Sequence, residues 1–232
     1  MARNNKQIPI KDAINLAVQA YIQNGKYHRE DQYEYVEDSE NGPYEKIVVR
    51  GNKMIMREMF NQEEVYIDPK CNDMVEDIYT HYQGLIFKIM ADNATDFANS
   101  VYKVISQDTV GYRDLGYLAP LPSLYEHEMQ RNLFVEEIRN SEYIGKEKEK
   151  VILRATLHEA RYIRSRDFYV YTFISGNNLI THFSQKSTNQ WPTVGVVEEG
   201  KEYTISFKVK RHGISNFYDC KETLVNYLKI SD

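Results

Sequence analysis

Val151-Ile152-Leu153-Arg154-Ala155-Thr156-Leu157-His158 and Glu202-Tyr203-Thr204-Ile205-Ser206-Phe207-Lys208-Val209-Lys210-Arg211 decide the fold. Both alternate apolar and polar side chains with a period of two, the signature of a half-buried strand. Between them Phe168 to Ile174 is dense in aromatic and β-branched residues and reads as a second strand. Gly176-Asn177-Asn178 is a turn signal, and Leu179 to Ser184 makes the third strand. A longer polar stretch with Trp191, Pro192 and Gly195 precedes the fourth, and Cys220 to Ile230 is the fifth. Five strands with the longest break after the third match the plan of an OB-type barrel. That break often holds a helix. Here it carries Pro192 and little helical pattern, so a helix there is expected to be lacking or minimal.

Upstream the period changes to 3.6. Ile10, Ala13, Ile14, Ala17, Val18 and Tyr21 share one helical face, with Gly25 as a stop. An acidic, tyrosine-rich stretch follows, Tyr27 to Tyr44, with Glu30, Asp31, Glu34, Glu37, Asp38 and Glu40. It reads as a solvated loop or edge strand. Ile47 to Val49 and Met54 to Met56 suggest a short hairpin around Gly51-Asn52. Asn72 is placed to cap a helix carrying Val75, Ile78, Tyr82, Leu85 and Ile89, interrupted by Gly84. Thr95 is placed to cap another with Phe97, Val101, Val104 and Ile105. Gly111, Gly116, Pro120 and Pro122 mark a loop, and Ser123 with Glu126 forms a capping-box pattern before Met129, Leu133, Phe134 and Ile138. The charged run Lys146 to Lys150 is the natural junction. The expected architecture is α+β: a mostly helical, acidic N-terminal domain over 1–145 and a small five-stranded OB-like β-barrel over 146–232.

The 232 residues suit one large or two small domains, and 42% hydrophobic with 27% charged residues is ordinary for a globular protein. No apolar run approaches the ~20 residues of a membrane span, so no membrane association is expected. The first residues lack the apolar stretch of a secretory signal, and Cys71 and Cys220 lie far apart without a CxxC pair. A reducing cytoplasm is the expected setting. Net charge is −5, divided unevenly: −8 over 1–150 and +3 over 151–232. A polyanionic partner is therefore expected on the C-terminal part.

Catalytic constellations are missing. The chain has no phosphate-loop pattern, no G-x-G-x-x-G and no G-x-S-x-G, and His127-Glu128 and His158-Glu159 both lack the second histidine of a zinc helix. Asp68-Pro69-Lys70 reads as a helix N-terminal turn rather than part of a nuclease site, and Glu63-Glu64 as a solvated face. No catalytic residue, metal ligand or cofactor is expected, and the chain is read as non-enzymatic. What the C-terminal part does contain is aromatic rings interleaved with Lys and Arg, the two devices that hold single-stranded nucleic acid by base stacking and phosphate contact. The candidates are Arg154, Arg161, Arg164 and Arg166 on the first strand and its following loop. Tyr169, Tyr171, Phe183 and Trp191 are the candidate rings, and Lys208, Lys210 and Arg211 extend the set. Tyr169, Tyr171 and Phe173 share one face of the second strand, and Phe168, Val170 and Ile174 the other. Only one of these faces is free to stack.

Several of these residues also carry a resemblance. Asn140-Ser141-Glu142-Tyr143-Ile144-Gly145, Tyr171-Thr172-Phe173, Asn177, His182-Phe183-Ser184, Phe207-Lys208-Val209-Lys210-Arg211-His212 and Thr223-Leu224 together resemble a C-terminal module of bacteriophage-encoded proteins. That module opens on S-x-[YW]-x-G, and its later strands carry "wF-S"-like and "TVK-x-H" patterns. Here His182 stands in place of Trp and Phe207 in place of Thr. The resemblance covers about 90 of the 232 residues. It implies an OB-like fold, a phage origin and a setting in DNA metabolism, and it supplies no catalytic residue.

Two functions follow as expectations. In the first, the chain is a phage-encoded, replication-associated protein of the bacterial host cytoplasm. It binds single-stranded DNA through the barrel and recruits a phage or host replication protein through its acidic N-terminal region. In the second, it is a protein-interaction module that docks on and regulates or inhibits a host or phage protein. DNA against RNA and self-association into a homo-oligomer are open at this point.

Overall fold

The computed structural model describes residues 6–37, 42–90 and 95–231, and of Lys88 and Met90 the backbone alone. The chain divides into two compact units, 1–129 and 130–232.

In the first unit β1 (Gln7–Pro9) leads into α1 (Ile10–Asn24), which Gly25 ends in a left-handed conformation. The expected face of α1 is buried, and Leu16 and Ala20 join it, so α1 is the helix around which this unit's core is built. β2 (Gln32–Val36) and β3 (Tyr44–Val49) form an antiparallel ribbon in which Tyr33 faces Ile47 and Val36 faces Tyr44. The acidic stretch thus supplies an edge strand; its Asp38 and Glu40 lie outside the described residues. The expected hairpin around Gly51-Asn52 is corrected: Met54–Met56 belong to α2 (Asn52–Phe60). Ile55, Met56 and Phe60 recur at helical spacing and bury in the same core as α1. Gly51 is needed for close approach rather than for a turn, since a Cβ there would meet the Glu30 carbonyl carbon at 3.0 Å. The buried Asn52 Oδ1 accepts from His28 N at 2.7 Å and from Asn24 Nδ2 at 2.9 Å.

A single 3-10 turn, Pro69–Cys71, precedes α3 (Asn72–Gln83). Asp68 caps it by accepting from Lys70 N, so Asn72 is the first helical residue and not the cap. Gly84 separates α3 from α4 (Leu85–Met90). Thr95 caps α5 (Asp96–Ile105) as expected, its hydroxyl accepting from Ala98 N at 3.1 Å, although Phe97 is exposed. β4 (Thr109–Gly111), paired with β1, and α6 (Leu115–Leu118) occupy what reads as loop. α7 (Leu121–Ile138) begins before Ser123, so no capping box forms; Glu126 instead accepts from Tyr21 Oη at 2.5 Å. Pro122 in its first turn loses no hydrogen bond there.

The second unit holds the last turns of α7 and a closed barrel of β5 (Lys150–Ile163), β6 (Phe168–Ser175), β7 (Asn178–Ser184), β8 (Glu202–Ile214) and β9 (Lys221–Ser231). The ring order is β5-β6-β7-β9-β8, with β5 closing on β8 and β7 running parallel to β9. The molecule is therefore α+β with an OB-like barrel. Tyr203, Ile205, Phe207 and Val209 of β8 point inward as their alternation requires, against Leu157, Tyr171, Phe173, Ile180 and Val225. No helix lies between β7 and β8 among the described residues. Residues 140–145 are fastened to the barrel by side chains. Ser141 Oγ donates to Lys221 O and accepts from Leu179 N, and Thr223 Oγ1 accepts from Ile144 N. Gly145 has φ 66°, and a Cβ there would lie 2.9 Å from Val151 Cγ2. Phe134 and Ile138 of α7 bury against Leu179 and Cys220, whereas Leu133 is exposed. No helix among the described residues is long and apolar enough to cross a membrane.

Candidate nucleic-acid interface

Strand register builds the candidate surface. Arg161 of β5 pairs with Val170 of β6, which pairs with Phe183 of β7, so the three stand in one row on the outside of the barrel. Phe168 is next to them on the same face, and its ring meets that of Phe183 edge-on, centroids 5.5 Å apart. The turn joining β5 to β6 carries Arg164 and Arg166, both exposed. On the opposite flank the connection from β8 to β9 brings Phe217 beneath the Arg161 guanidinium, 4.8 Å from the ring centroid. Arg131 Nη2 donates to Phe217 O at 3.3 Å and helps hold that connection. Phe183 is 50% exposed and Phe217 61%. OB barrels take their ligands across the second and third strands between these two connections, and here that area presents three phenylalanine rings and three arginines.

The rest of the face is closed. Thr172, Leu179, Thr181 and Leu224 are buried, and Phe134 stacks face to face on His158, centroids 3.5 Å apart. Burial lowers the pKa of His158 below 6.5 against the opposing influence of Glu159, Glu199 and Glu137. His182, inside the barrel wall, is likewise lowered by burial. Its Nδ1 lies 2.9 Å from the Val225 carbonyl, which can only accept, so the proton is on Nδ1.

The expected residues are therefore sorted into three groups. Arg161, Arg164, Arg166 and Phe183 come together on one surface. Tyr171 and Trp191 are corrected: neither can stack a base. Tyr171 is 0% exposed and Trp191 3%. The Tyr171 hydroxyl donates to Lys186 O at 2.8 Å and accepts from Trp191 Nε1 at 3.2 Å. Removal from water holds that phenol above its ordinary pKa of 10.0. The indole folds back from its polar loop because the end of a closed barrel must be filled, and Trp191 fills it with Val197. Tyr169 shares the inward parity of Tyr171 and stacks on it at 6.0 Å, leaving its ring half-buried. Arg154, Lys208, Lys210 and Arg211 are exposed but elsewhere. Arg154 pairs with Glu202 at 2.9 Å, and β8 borders β5 and β9 but neither β6 nor β7.

Phe217 is the residue that reading the sequence missed, and Phe168 stands on the one of the two second-strand faces that proves free. For Phe168 the signal was the parity of its strand: once Tyr171 and Phe173 are inside, Phe168 is outside. Phe217 lies in Ser215-Asn216-Phe217-Tyr218-Asp219, which has no strand periodicity. Its one signal is an aromatic ring in the connection between the fourth and fifth strands of an OB plan. Compared with family models, with curated proteins and with solved structures, the chain matches none.

Proposed function

We propose that this chain is a non-enzymatic, replication-associated protein of phage type that binds single-stranded DNA along the β5–β6–β7 face of its barrel. One observation carries the reading: exposed Phe183 and Phe217, with Phe168, stand beside Arg161, Arg164 and Arg166 on the part of an OB barrel where ligands bind. The rings offer stacking surfaces to successive bases and the arginines neutralise phosphates. The phage origin, the bacterial cytoplasm and the preference for DNA rest on the resemblance of 140–145 and the barrel strands to the phage module. Anisotropy with labelled oligo-dT and its duplex tests the reading. Single strands bind more tightly than duplex, affinity falls with salt, and Phe183→Ala weakens binding by about 1–3 kcal/mol. Equal binding by wild type and Phe183→Ala removes this face from the function.

A specific feature favours docking on a replication protein as a second role. Away from the cleft wall, the β2–β3 ribbon exposes Tyr35 and Tyr44 beside acidic side chains, a composition suited to a protein surface.

A further inference from the structure

A second binding feature lies in the first unit and is independent of the barrel. A cleft of about 670 Å³ opens between the segment 27–33 and the first turns of α2, in the size range of small-ligand sites. Its cations are Arg29, Lys53 and Arg57, and its rings are Tyr27 and Tyr33. The cleft walls are fixed. Gly51 allows the 30–31 backbone to lie against the start of α2, and Asp31 Oδ1 accepts from Gly51 N at 2.8 Å.

The three cations have donors to spare. Arg29 and Lys53 make no ion pair or hydrogen bond among the described residues. Arg57 lies over Tyr112, its guanidinium carbon 4.5 Å from the ring centroid. The one hydrogen bond of its side chain among the described residues is a weak one to Met54 Sδ at 3.8 Å, and its buried Nε has no partner. A guanidinium has five N–H groups in a rigid fork, and buried donors are seldom left unmatched. Arg50 and Arg161 also leave a buried Nε unpartnered, but each has a carboxylate beside it, Glu58 and Glu159, whereas no carboxylate pairs with Arg57 among the described residues. Lys53 extends across Gly116, where a Cβ would meet its Nζ at 3.3 Å, so the glycine leaves room for the ammonium.

From this cluster we infer that the cleft binds a nucleoside monophosphate, with Arg29, Lys53 and Arg57 on the phosphate and Tyr27 and Tyr33 against the base. The planar fork of Arg57 suits a phosphate's paired oxygens. The volume exceeds that of a bare phosphate, and the two tyrosines give a planar ring its contact. Glu30 in the same wall accepts from a sugar hydroxyl or a base amino group and disfavours a polyphosphate tail.

Calorimetric titration of the full chain with AMP, dTMP, inorganic phosphate and thymidine tests it. Saturable binding is expected for at least one monophosphate, with thymidine and phosphate each weaker by at least about tenfold, the loss of one charge-assisted contact or of the ring contact. Arg29→Gln, at an exposed position, and Lys53→Gln, at a half-buried one, each weaken the monophosphate about tenfold, with the unliganded melting temperature unchanged for Arg29→Gln. Phe183→Ala leaves this binding intact, so failure here and failure of the barrel surface are told apart. No saturable binding, binding insensitive to Lys53→Gln, or binding lost in Phe183→Ala overturns the inference. So does saturation by an acidic peptide with no response to a monophosphate.

Discussion

Tyr171 and Phe168 stand three residues apart on one strand and meet opposite fates. Tyr171 closes the barrel interior with Trp191, while Phe168 turns outward to Phe183. The side-chain chemistry is nearly the same, and parity alone separates them, because a strand sends successive residues to opposite faces. Aromatic content therefore says that a strand has two uses for rings; register says which ring has which use. The inner pair should govern stability and the outer set binding, and each experiment below presses on that division.

The largest effect is expected from Trp191→Ala. Removing a fully buried indole, and with it a donor to the Tyr171 hydroxyl, should cost about 3–5 kcal/mol in urea unfolding. Single-strand affinity of the fraction still folded should be unchanged. A stable variant with weakened affinity would place Trp191 in the binding surface and break the division.

Arg164→Ala combined with Arg166→Ala comes next. Each phosphate contact on a single strand contributes about 0.7 to the slope of log affinity against log salt, so the pair should flatten it by about 1.4. Stability should hold within about 0.5 kcal/mol, since both side chains are exposed. An unaltered slope would leave the rings binding without the neighbouring charges.

How far this was legible follows from the same division. The period-two runs at 151–158 and 202–211 carry the barrel because an apolar side chain every second residue has one way to bury. The helices at 10–24 and 72–83 were legible for the corresponding reason at 3.6 residues. Trp191 was placed among the stacking rings because it sits in a polar loop; capping the barrel end, the other use open to it, is a three-dimensional requirement that the loop's composition does not decide. Gly51-Asn52 was misread because a glycine chosen for close approach looks like one chosen for a turn. Of the candidate surface, the arginines flanking the second strand could be found from the strand plan. Phe217 reaches them from about 50 residues along the chain, through a connection with no period of its own.

A smaller effect concerns pH. Burial holds His158 and His182 below 6.5 in the folded barrel. Unfolded, both titrate near the ordinary 6.5. Below that value the unfolded chain binds more protons, so stability falls as pH drops from 6.5 toward the folded values. The melting temperature should decline between about pH 7 and about pH 5. His158→Phe, which keeps a ring on Phe134, should make the decline shallower. An identical decline in wild type and variant would mean that His158 is wet enough to titrate normally.

The smallest effect is expected where exposed charge is richest outside the candidate face. Lys208 and Lys210 point outward from β8, and in the ring β8 is separated from β6 by β5 and from β7 by β9. A strand lying across β5–β6–β7 passes on another side of the wall, and at about 0.1 M salt charges more than ~10 Å away are largely screened. Lys208→Ala with Lys210→Ala should therefore change single-strand affinity by less than about twofold, against the larger loss for the arginine pair. The two double variants remove equal charge, so any difference between them reports position alone. Equal losses would mean that the strand wraps the barrel or is drawn to it by charge without a defined path, and the ordered row of Arg161, Val170 and Phe183 would then be an accident of β5–β6–β7 register.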